Sequence, residues 1–435
     1  MLRKGAEWKR RAHCTVCLSL LLSLSLLLAS ALLPSAGAEV SPATEGKCTA
    51  GSVAVHFVST LAQSYEEEDP HGVAVMPDGS KAVVADGGNH KILLVDMATG
   101  AVDVLAGSGT QGFQDGSAGS ATFRRPTGVA VTPDGSKVVV TEYWSHQIRL
   151  IDMATKTVST LAGRGGEGGD SDGSRRVSRF RNPQGVSVTP NGSTAVVADS
   201  GNHKIRLVNI STGEVRTLAG SGAEGSRDGA AGSASFRNPS DVEVTPDGSK
   251  AVVADGDNNK IRLVDMATGV VSTLAGSGAQ GYRDGAAGSA MFDSPDFVTV
   301  TTDGSQAVVS DRFNDKIRLV DMATGAVTTL AGSVADWYDS NGGAQDGVAT
   351  SATITRPLGV ATTPDGKKAV VTHGAQCYFD SCRKIRLVDL KPTCVVCEVL
   401  FWNQLCPCWV SRTVESQIVQ TLKSQIVQTL NVREG

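Results

Sequence analysis

The sequence predicts an all-β fold, a six-bladed β-propeller of four-stranded antiparallel blades. Three observations predict it: a unit that repeats at a nearly fixed interval, four strand-like runs within each unit, and dense turn chemistry between those runs. The repeat is visible in VVADGGNHKILLVDMATG, which begins at Val83, and in VVADSGNHKIRLVNISTG, which begins at Val196. A fixed period of this kind indicates one supersecondary unit that cannot bury its apolar face alone.

The interval is set by a turn that ends the first run of each unit. An Asp or Asn before Gly marks this turn six times, at Asp78, Asp134, Asn191, Asp247, Asp303 and Asp365. Successive units are therefore offset by 56, 57, 56, 56 and 62 residues. Each unit holds four runs rich in Val, Ile, Leu and Thr, separated by Pro-Asp-Gly and Ala-Thr-Gly turns, which is typical of propeller blades.

The two ends of the repeat region predict how the ring closes. The run VHFVSTLAQS from Val55 matches the fourth strand of a unit, whereas the sixth unit loses its own fourth run after Leu390. We therefore expect the N-terminal strand to complete the last blade, which removes two exposed sheet edges. In the alternative, the segment 394–400 supplies that strand.

The N-terminal segment has the layout of a secretory signal peptide. Basic residues precede an apolar run over 18–33, and the small residues Ala36, Gly37 and Ala38 follow. Residues 1–38 are thus expected to be removed, leaving a secreted or extracytoplasmic protein that does not contact the membrane. An uncleaved signal anchor is the alternative. Without this segment the formal net charge changes from −4 to −8, which argues against nucleic acid as a partner.

Cysteine usage separates the repeat region, 53–390, from a C-terminal tail, 391–435. Cys48 and Cys377 have no cysteine between them, so the core of the repeat region is hydrophobic rather than disulfide-built. Cys377 and Cys382 flank an insertion in the sixth unit and are predicted to pair, with tail cysteines as the alternative partners. The tail holds Cys394, Cys397, Cys406 and Cys408, for which disulfides are expected after export. It ends with SQIVQTL twice in succession, whose period does not decide between helix and strand.

The repeat resembles a known family. The segment ADSGNHKIRLV at 198–208 carries an Asn-His pair after an Asp, and a Pro-x-Gly-Val sequence opens most units. In these features the chain resembles NHL-repeat proteins over residues 53–390. The resemblance implies a propeller but says little about function, because the family includes protein-binding, RNA-binding and enzymatic members.

The loops between units contain an aspartate before Gly at a constant position, 11 residues before the Pro that opens the next unit: Asp115, Asp172, Asp228, Asp284 and Asp346. We expect each aspartate to cap its own turn. A phenylalanine follows in four of these loops and is expected to plug the space between blades, at Phe123, Phe180, Phe236 and Phe292. Calcium is disfavoured, because one carboxylate per loop falls short of its oxygen ligands.

Histidines raise the question of a metal site. His90, His146 and His203 occupy one equivalent position in three units, about 10 Å outside the innermost strands, and are too far apart to share a metal. They are interpreted as structural. Residues near the channel axis offer an alternative site, because His71, Asp241 and Asp296 together could hold a cation. This gives the alternative function of a metal-dependent hydrolase or lyase at the channel mouth, although no acid–base pair can be placed, and no cofactor is predicted.

Binding residues are predicted where the repeats stop agreeing. The loop between the second and third strands is small and polar in three units but carries large side chains in the others, and the loop from unit five to unit six is lengthened. These positions are Tyr143, Trp144, Arg312, Phe313, Trp337, Tyr338, His373, Tyr378 and Phe379. Exposed aromatics with an arginine anchor interfaces, so we predict a non-enzymatic scaffold that binds a protein or glycan through this face. In the alternative interpretation, each ring packs under its own loop.

Two N-glycosylation sequons lie in the third unit. Asn191 and Asn209 begin Asn-Gly-Ser and Asn-Ile-Ser, and Asn191 replaces the turn aspartate of the other five units. Both asparagines are predicted to carry glycans if the chain passes through a eukaryotic secretory route.

Overall fold

The computed structural model describes residues 52–63, 70–333, 345–373 and 384–396. These residues form six blades of four antiparallel strands each.

Counted outwards from the axis, blade 1 consists of Pro70–Val75, Lys81–Asp86, Lys91–Asp96 and Val102–Ala106. Blade 2 consists of Pro126–Val131, Lys137–Glu142, Gln147–Asp152 and Thr157–Ala162. Blade 3 consists of Pro183–Val188, Thr194–Asp199, Lys204–Asn209 and Val215–Ala219. Blade 4 consists of Pro239–Val244, Lys250–Asp255, Lys260–Asp265 and Val271–Ala275. Blade 5 consists of Pro295–Val300, Gln306–Asp311, Lys316–Asp321 and Val327–Ala331. Blade 6 consists of Pro357–Thr362, Lys368–His373, Lys384–Asp389 and the N-terminal Phe57–Gln63.

Short elements complete the described chain. The strands Gly116–Ser117 and Gly347–Val348 add to the outer edges of blades 2 and 6. Single 3-10 turns follow the second strands of blades 3, 4 and 5, at Ser200–Asn202, Gly256–Asn258 and Arg312–Asn314.

The ring closes through the N-terminal strand, which confirms the prediction. Phe57–Gln63 runs antiparallel to Lys384–Asp389, with Val58 opposite Val388. The alternative strand does not take this place, because Thr393–Val396 pairs instead with Ser52–Val55 in a separate two-stranded ladder. Residues from both ends of the repeat region therefore build the last blade, and the ring has no open seam there.

Hydrophobic clusters fill the spaces between neighbouring blades. Phe123, for example, is 0% exposed and packs between Val83 and Ile92 of blade 1 and Val140 of blade 2. Phe180, Phe236 and Phe292 are buried in the same way between later pairs of blades. The predicted inter-blade plugs are thus present.

A buried arginine in the third strand organises blades 2 to 6, at Arg149, Arg206, Arg262, Arg318 and Arg386, each 0% exposed. In blade 4, Arg262 donates to Asp255 of the second strand and to Asp228 of the preceding loop, each at 2.6 Å. Its guanidinium also lies 5.3 Å from the ring of Phe236. Two carboxylates and an aromatic face therefore compensate a charge that would be costly to bury alone.

The loop aspartates do not cap their own turns, so that prediction is wrong. Asp228 binds Arg262 and accepts hydrogen bonds from the backbone N–H of Thr273 (3.1 Å) and from its hydroxyl (3.1 Å). Asp115, Asp172, Asp284 and Asp346 make the corresponding contacts in their blades. The constant spacing exists because each aspartate must reach a buried arginine in the blade that follows its loop.

The repeated histidines connect neighbouring blades. His146 has a left-handed backbone (φ 58°), and its Nδ1 accepts a hydrogen bond from the backbone N–H of Asn182, 3.0 Å away. His90 and His203 make the same contact to the residue before the next Pro, at 3.3 and 3.1 Å. The interpretation of these side chains as structural agrees with these contacts.

Blade 6 departs from this pattern at one buried position. His373 stands where blades 3, 4 and 5 have an aspartate, and its Nε2 lies 3.4 Å from Nη1 of Arg386. Both side chains are 0% exposed. Burial and then the positive charge of Arg386 lower the pKa of His373 well below its usual range.

Replacing His373 by Asp is expected to restore the missing ion pair with Arg386. At neutral pH we expect stabilisation by about 1.5–3 kcal/mol, the range for hydrogen bonds to charged groups. The wild type should also lose stability as pH falls below about 6.5, because His373 binds a proton in the unfolded state but stays neutral in the folded state. The free energy of unfolding should fall by up to ~1.4 kcal/mol per pH unit. Chemical denaturation between pH 5 and 7.5 measures both effects.

His373→Gln is the matched control, because it removes the titration without adding a carboxylate. The stability difference between wild type and either variant should change with pH below about 6.5. Only His373→Asp should be more stable than wild type at pH 7.5. Parallel pH profiles for all three proteins would contradict the role of His373.

Candidate functional site

Two sets of loops meet on one face of the ring, here called the long-loop face. The loops between blades arrive there at the Pro that opens each first strand, and the loops between second and third strands lie beside them. The hydrogen bond between His90 and the backbone of Arg125 joins one loop of each kind. The opposite, short-turn face carries the tight turns such as the one at Asp247. Variable side chains from several blades are therefore gathered on the long-loop face.

The first strands of all six blades line a central channel with a cavity of about 170 Å³. They approach closely: a Cβ on Gly128 would lie 2.4 Å from the carbonyl oxygen of Gln184. Four blades have glycine at this position, whereas Asp241 and Phe297 occupy it in blades 4 and 5. These two side chains break the symmetry of the channel at this position.

Two carboxyl groups of blade 4 face the channel cavity. Asp241 accepts a hydrogen bond from the backbone N–H of Val298 at 2.9 Å. Burial raises the pKa of Asp241 well above its usual range, and the nearby Glu243 and Asp296 raise it further. Burial also raises the pKa of Glu243 to about 7, against a hydrogen bond with Ser187 that lowers it. The channel thus holds acids that resist ionisation, because they are buried and, in the described part of the chain, no positive charge is among the main influences on their pKa.

At the mouth of the channel, on the long-loop face, Asp296 is the centre of a polar cluster. Its carboxylate accepts a hydrogen bond from Nε2 of Gln184 across the ring at 2.8 Å and pairs with Nη1 of Arg312 at 3.3 Å. Burial raises the pKa of Asp296, while the charges of Arg312 and His71 lower it. Nε2 of His71 in turn lies 3.5 Å from the guanidinium of Arg125. Asp296 thus joins side chains of blades 3 and 5, and the charge of His71 connects this group to Arg125 before blade 2.

Exposed aromatic side chains stand beside this cluster on opposite blades. Trp144 of blade 2 is 41% exposed, and the guanidinium of Arg125 lies 4.9 Å from its ring. Phe313 of blade 5 is 45% exposed and has Arg312 at 5.2 Å and Arg356 at 5.8 Å from its ring. Because Arg125 contacts His71 and Arg312 contacts Asp296, both aromatics are linked to the mouth of the channel.

The other predicted binding residues have different positions. Tyr143 is half-buried next to Trp144. His373 is fully buried against Arg386 and cannot meet a partner, so it does not belong to the surface. Trp337, Tyr338, Tyr378 and Phe379 lie outside the described residues, as do Cys377 and Cys382, whose pairing stays a prediction.

The residues proposed for a metal do not fit one. Asp296 already binds Arg312 and Gln184, and Asp241 accepts the backbone N–H of Val298. Within the described ranges, no group of three His, Cys, Asp or Glu side chains is placed to hold an ion. We therefore derive no metal-dependent step from this site.

Sequence reasoning missed several parts of the cluster. Arg125 and Arg356 were overlooked, although each immediately precedes the Pro of its blade, where blades 3 and 4 have Asn. No local pattern identifies the bond of Gln184 to Asp296, which spans 112 positions in the chain. The position before each Pro was the signal that could have identified the arginines.

Comparison with known proteins places this fold among relatives. No family model matches the chain. It is 32% identical over 274 residues to Protein SUPPRESSOR OF QUENCHING 1, chloroplastic, from Arabidopsis thaliana, covering 60% of this chain and 25% of that protein. It is 31% identical over 293 residues to NHL repeat-containing protein 2 from Homo sapiens, covering 61% of this chain and 40% of that protein. The chain thus spans less than half the length of these curated relatives.

Solved structures share the architecture at low sequence identity. An auxiliary nutrient binding protein from Bacteroides thetaiotaomicron has a TM-score of 0.56 at 14% identity, covering 77% of this chain and 76% of that chain. A gluconolactonase from Xanthomonas campestris has a TM-score of 0.50 at 14% identity, covering 81% of this chain and 99% of that chain. At these identities the likeness concerns the fold alone.

The ring of six four-stranded blades, closed by its N-terminal strand, defines a six-bladed β-propeller with a polar channel mouth on its long-loop face. The sequence relationship to NHL repeat-containing protein 2, together with this ring, supports the more specific description of an NHL-repeat propeller. No helix among the described residues is long and apolar enough to cross a membrane.

Proposed function

We propose that this propeller is a non-enzymatic recognition scaffold that binds a protein or glycan through its long-loop face, centred on the channel mouth. The observation that carries the proposal is the pair of exposed aromatics, Trp144 and Phe313, each with an arginine against its ring. Such side chains bury a large area on binding and lose few rotamers, so they are the usual anchors of interfaces.

The cluster beneath the aromatics supports the same function. Arg312 is held from below by Asp296, which is itself fixed by Gln184. An arginine restrained in this way is already ordered before a ligand arrives, which reduces the entropy lost on binding. An arginine presents several N–H donors in a planar fork, which suits a carbonyl, carboxylate or hydroxyl group of a ligand.

Alanine substitution of Trp144 or Phe313 is expected to weaken ligand binding. A panel of immobilised glycans and extracellular proteins first identifies a ligand of the full chain, and titration then gives the affinities of the variants. Each substitution should reduce the affinity by about tenfold or more, which corresponds to at least ~1.4 kcal/mol.

Val270→Ala is the control, since Val270 is 46% exposed and lies in the turn between the third and fourth strands of blade 4, on the short-turn face. It should leave the affinity unchanged. If Trp144→Ala and Phe313→Ala bind normally while their melting temperatures fall, the two rings serve packing and the binding surface lies elsewhere.

The second proposal, a metal-dependent hydrolase or lyase at the channel mouth, has one observation in its favour. Acids with raised pKa values line the channel, and such groups cluster at catalytic sites. It ranks second because the oxygens of Asp241 and Asp296 already have hydrogen-bond or ionic partners within the protein.

Metal analysis distinguishes the two proposals. We expect the purified protein to contain much less than one metal ion per chain, and its melting temperature to be unaffected by a chelator. One tightly bound ion per chain, with a large thermal shift on chelation, would instead favour the hydrolase or lyase.

Export of the chain is also a proposal, and glycosylation tests it. Asn191 is exposed, and its side-chain oxygen accepts the backbone N–H of Ser193 at 3.0 Å. Asn209 lies in another turn of the same blade, also on the short-turn face, so glycans at both positions would leave the long-loop face accessible.

Glycosidase treatment of protein from its native source is expected to lower its mass by one or two N-glycans. The Asn191→Asp and Asn209→Asp variants, which restore the residue found in the other blades, should each remove one of these mass changes. An unchanged mass of the untreated and treated wild type would contradict glycosylation at both sites.

A further inference from the structure

The outer edge of blade 1 differs from that of the other five blades. In blades 2 to 6 the first valine of the fourth strand is bridged by a glycine from the preceding loop: Gly116 to Val158, Gly173 to Val215, Gly229 to Val271, Gly285 to Val327 and Gly347 to Val58. In blade 4 the pair exchanges two backbone hydrogen bonds, of 2.9 and 2.8 Å. Five blades thus have a covered outer edge.

Blade 1 cannot receive such a cover from its own loop. The bridging glycine lies ten residues before the Pro that opens each blade, and the corresponding position before Pro70 is Thr60. Thr60 already belongs to the fourth strand of blade 6. Among the described residues, no strand or bridge pairs with the outer side of Val102–Ala106.

The exposure of the edge valines shows the consequence. Val102 is 43% exposed, whereas its equivalents Val58, Val158, Val215, Val271 and Val327 are 1–2% exposed. Val104 is 54% exposed and stands where the other blades have the threonine that binds the loop aspartate. Leu93 likewise replaces the buried arginine. The edge is therefore apolar, with unpaired backbone positions that favour addition of another strand.

We propose that a segment of the chain's own C-terminal tail, within residues 416–430, adds to this edge as an outer strand. The tail contains the pattern Val-x-Thr-Leu twice, at 419–422 and at 427–430. The same pattern occurs five times in the described residues, and every occurrence is the fourth strand of a blade. This proposal concerns a surface other than the long-loop face and does not depend on the proposed function.

The tail starts close enough to reach blade 1. Its strand Thr393–Val396 pairs with Ser52–Val55, immediately before the fourth strand of blade 6. That strand lies against blade 1, since a Cβ on Gly100 would lie 2.0 Å from the carbonyl oxygen of Leu61. The 20 residues from Val396 to Ser416 can extend over roughly 65 Å, more than the radius of a domain of this size.

The side chains of the tail suit the edge. Val102 and Val104 point to one side of the strand and Asp103 to the other, because side chains alternate. Leu422 and Lys423 supply an apolar and a basic group in the same alternation, so Leu422 would meet a valine and Lys423 would meet Asp103. Backbone pairing gives the affinity in such additions, and these side chains give the preference for this edge.

Hydrogen exchange of the full chain tests the proposal at the amides of Val102 and Val104. Their equivalents in blade 4, Val271 and Thr273, donate outwards to the covering loop. The variant carries Val419→Pro and Val427→Pro, since proline cannot pair within a strand. We expect exchange at Val102 and Val104 at least about tenfold faster in the variant than in the wild type, with no change at Val271.

Ser411→Pro, in the tail but outside the repeated segment, is the control variant and should exchange like the wild type. Fast exchange at Val102 and Val104 in all three proteins would overturn the proposal, because the edge would then be open. Slow exchange in all three would also overturn it. Concentration-dependent light scattering would then show whether a second copy of the chain covers the edge.

Discussion

The buried arginine of the third strand is the interaction on which the geometry of the ring depends. In blade 4, Arg262 binds one carboxylate of its own blade and one from the preceding loop. This pairing holds the preceding loop, which contains little regular structure, against the blade that follows it. Because five blades repeat the contact, the loops reach the long-loop face in register, and the residues before each Pro converge around the channel.

The surface that we propose for binding therefore lies where the repeat has been altered. The repeated framework pairs its buried arginines internally, as Arg262 pairs with Asp255, and the substituted positions add exposed aromatic side chains. Trp144 and Phe313 replace small polar residues in otherwise equivalent loops, and Arg125 and Arg356 replace asparagine before the Pro. Each substitution is tolerated because the backbone at these loops is already held from two sides, by the arginine network and by the contacts between blades.

How much the sequence could predict depends on how far apart in the chain the interacting residues lie. The six units, the four strands in each and closure by Phe57–Gln63 were predictable, because alternation and turn residues act locally and the repeat multiplies the evidence. The partner of Asp228 was not predictable, since a constant spacing shows that a residue makes a fixed contact but does not identify the residue that it contacts. The burial of His373 was missed because its loop looks like an exposed insertion, whereas the residue itself ends a strand.

Closure and the open edge of blade 1 have one origin. A ring of six units contains only five complete loops between consecutive units. The sixth junction, from Gln63 to Pro70, has only the residues 64–69 between its two strands. The N-terminal strand that removes the seam therefore takes away the residues that would have covered the next blade. Blade 1 is consistent with this loss, since it also lacks the arginine and the threonine that a loop aspartate would bind. Sealing the ring by an N-terminal strand thus moves the exposed edge from the sixth blade to the first.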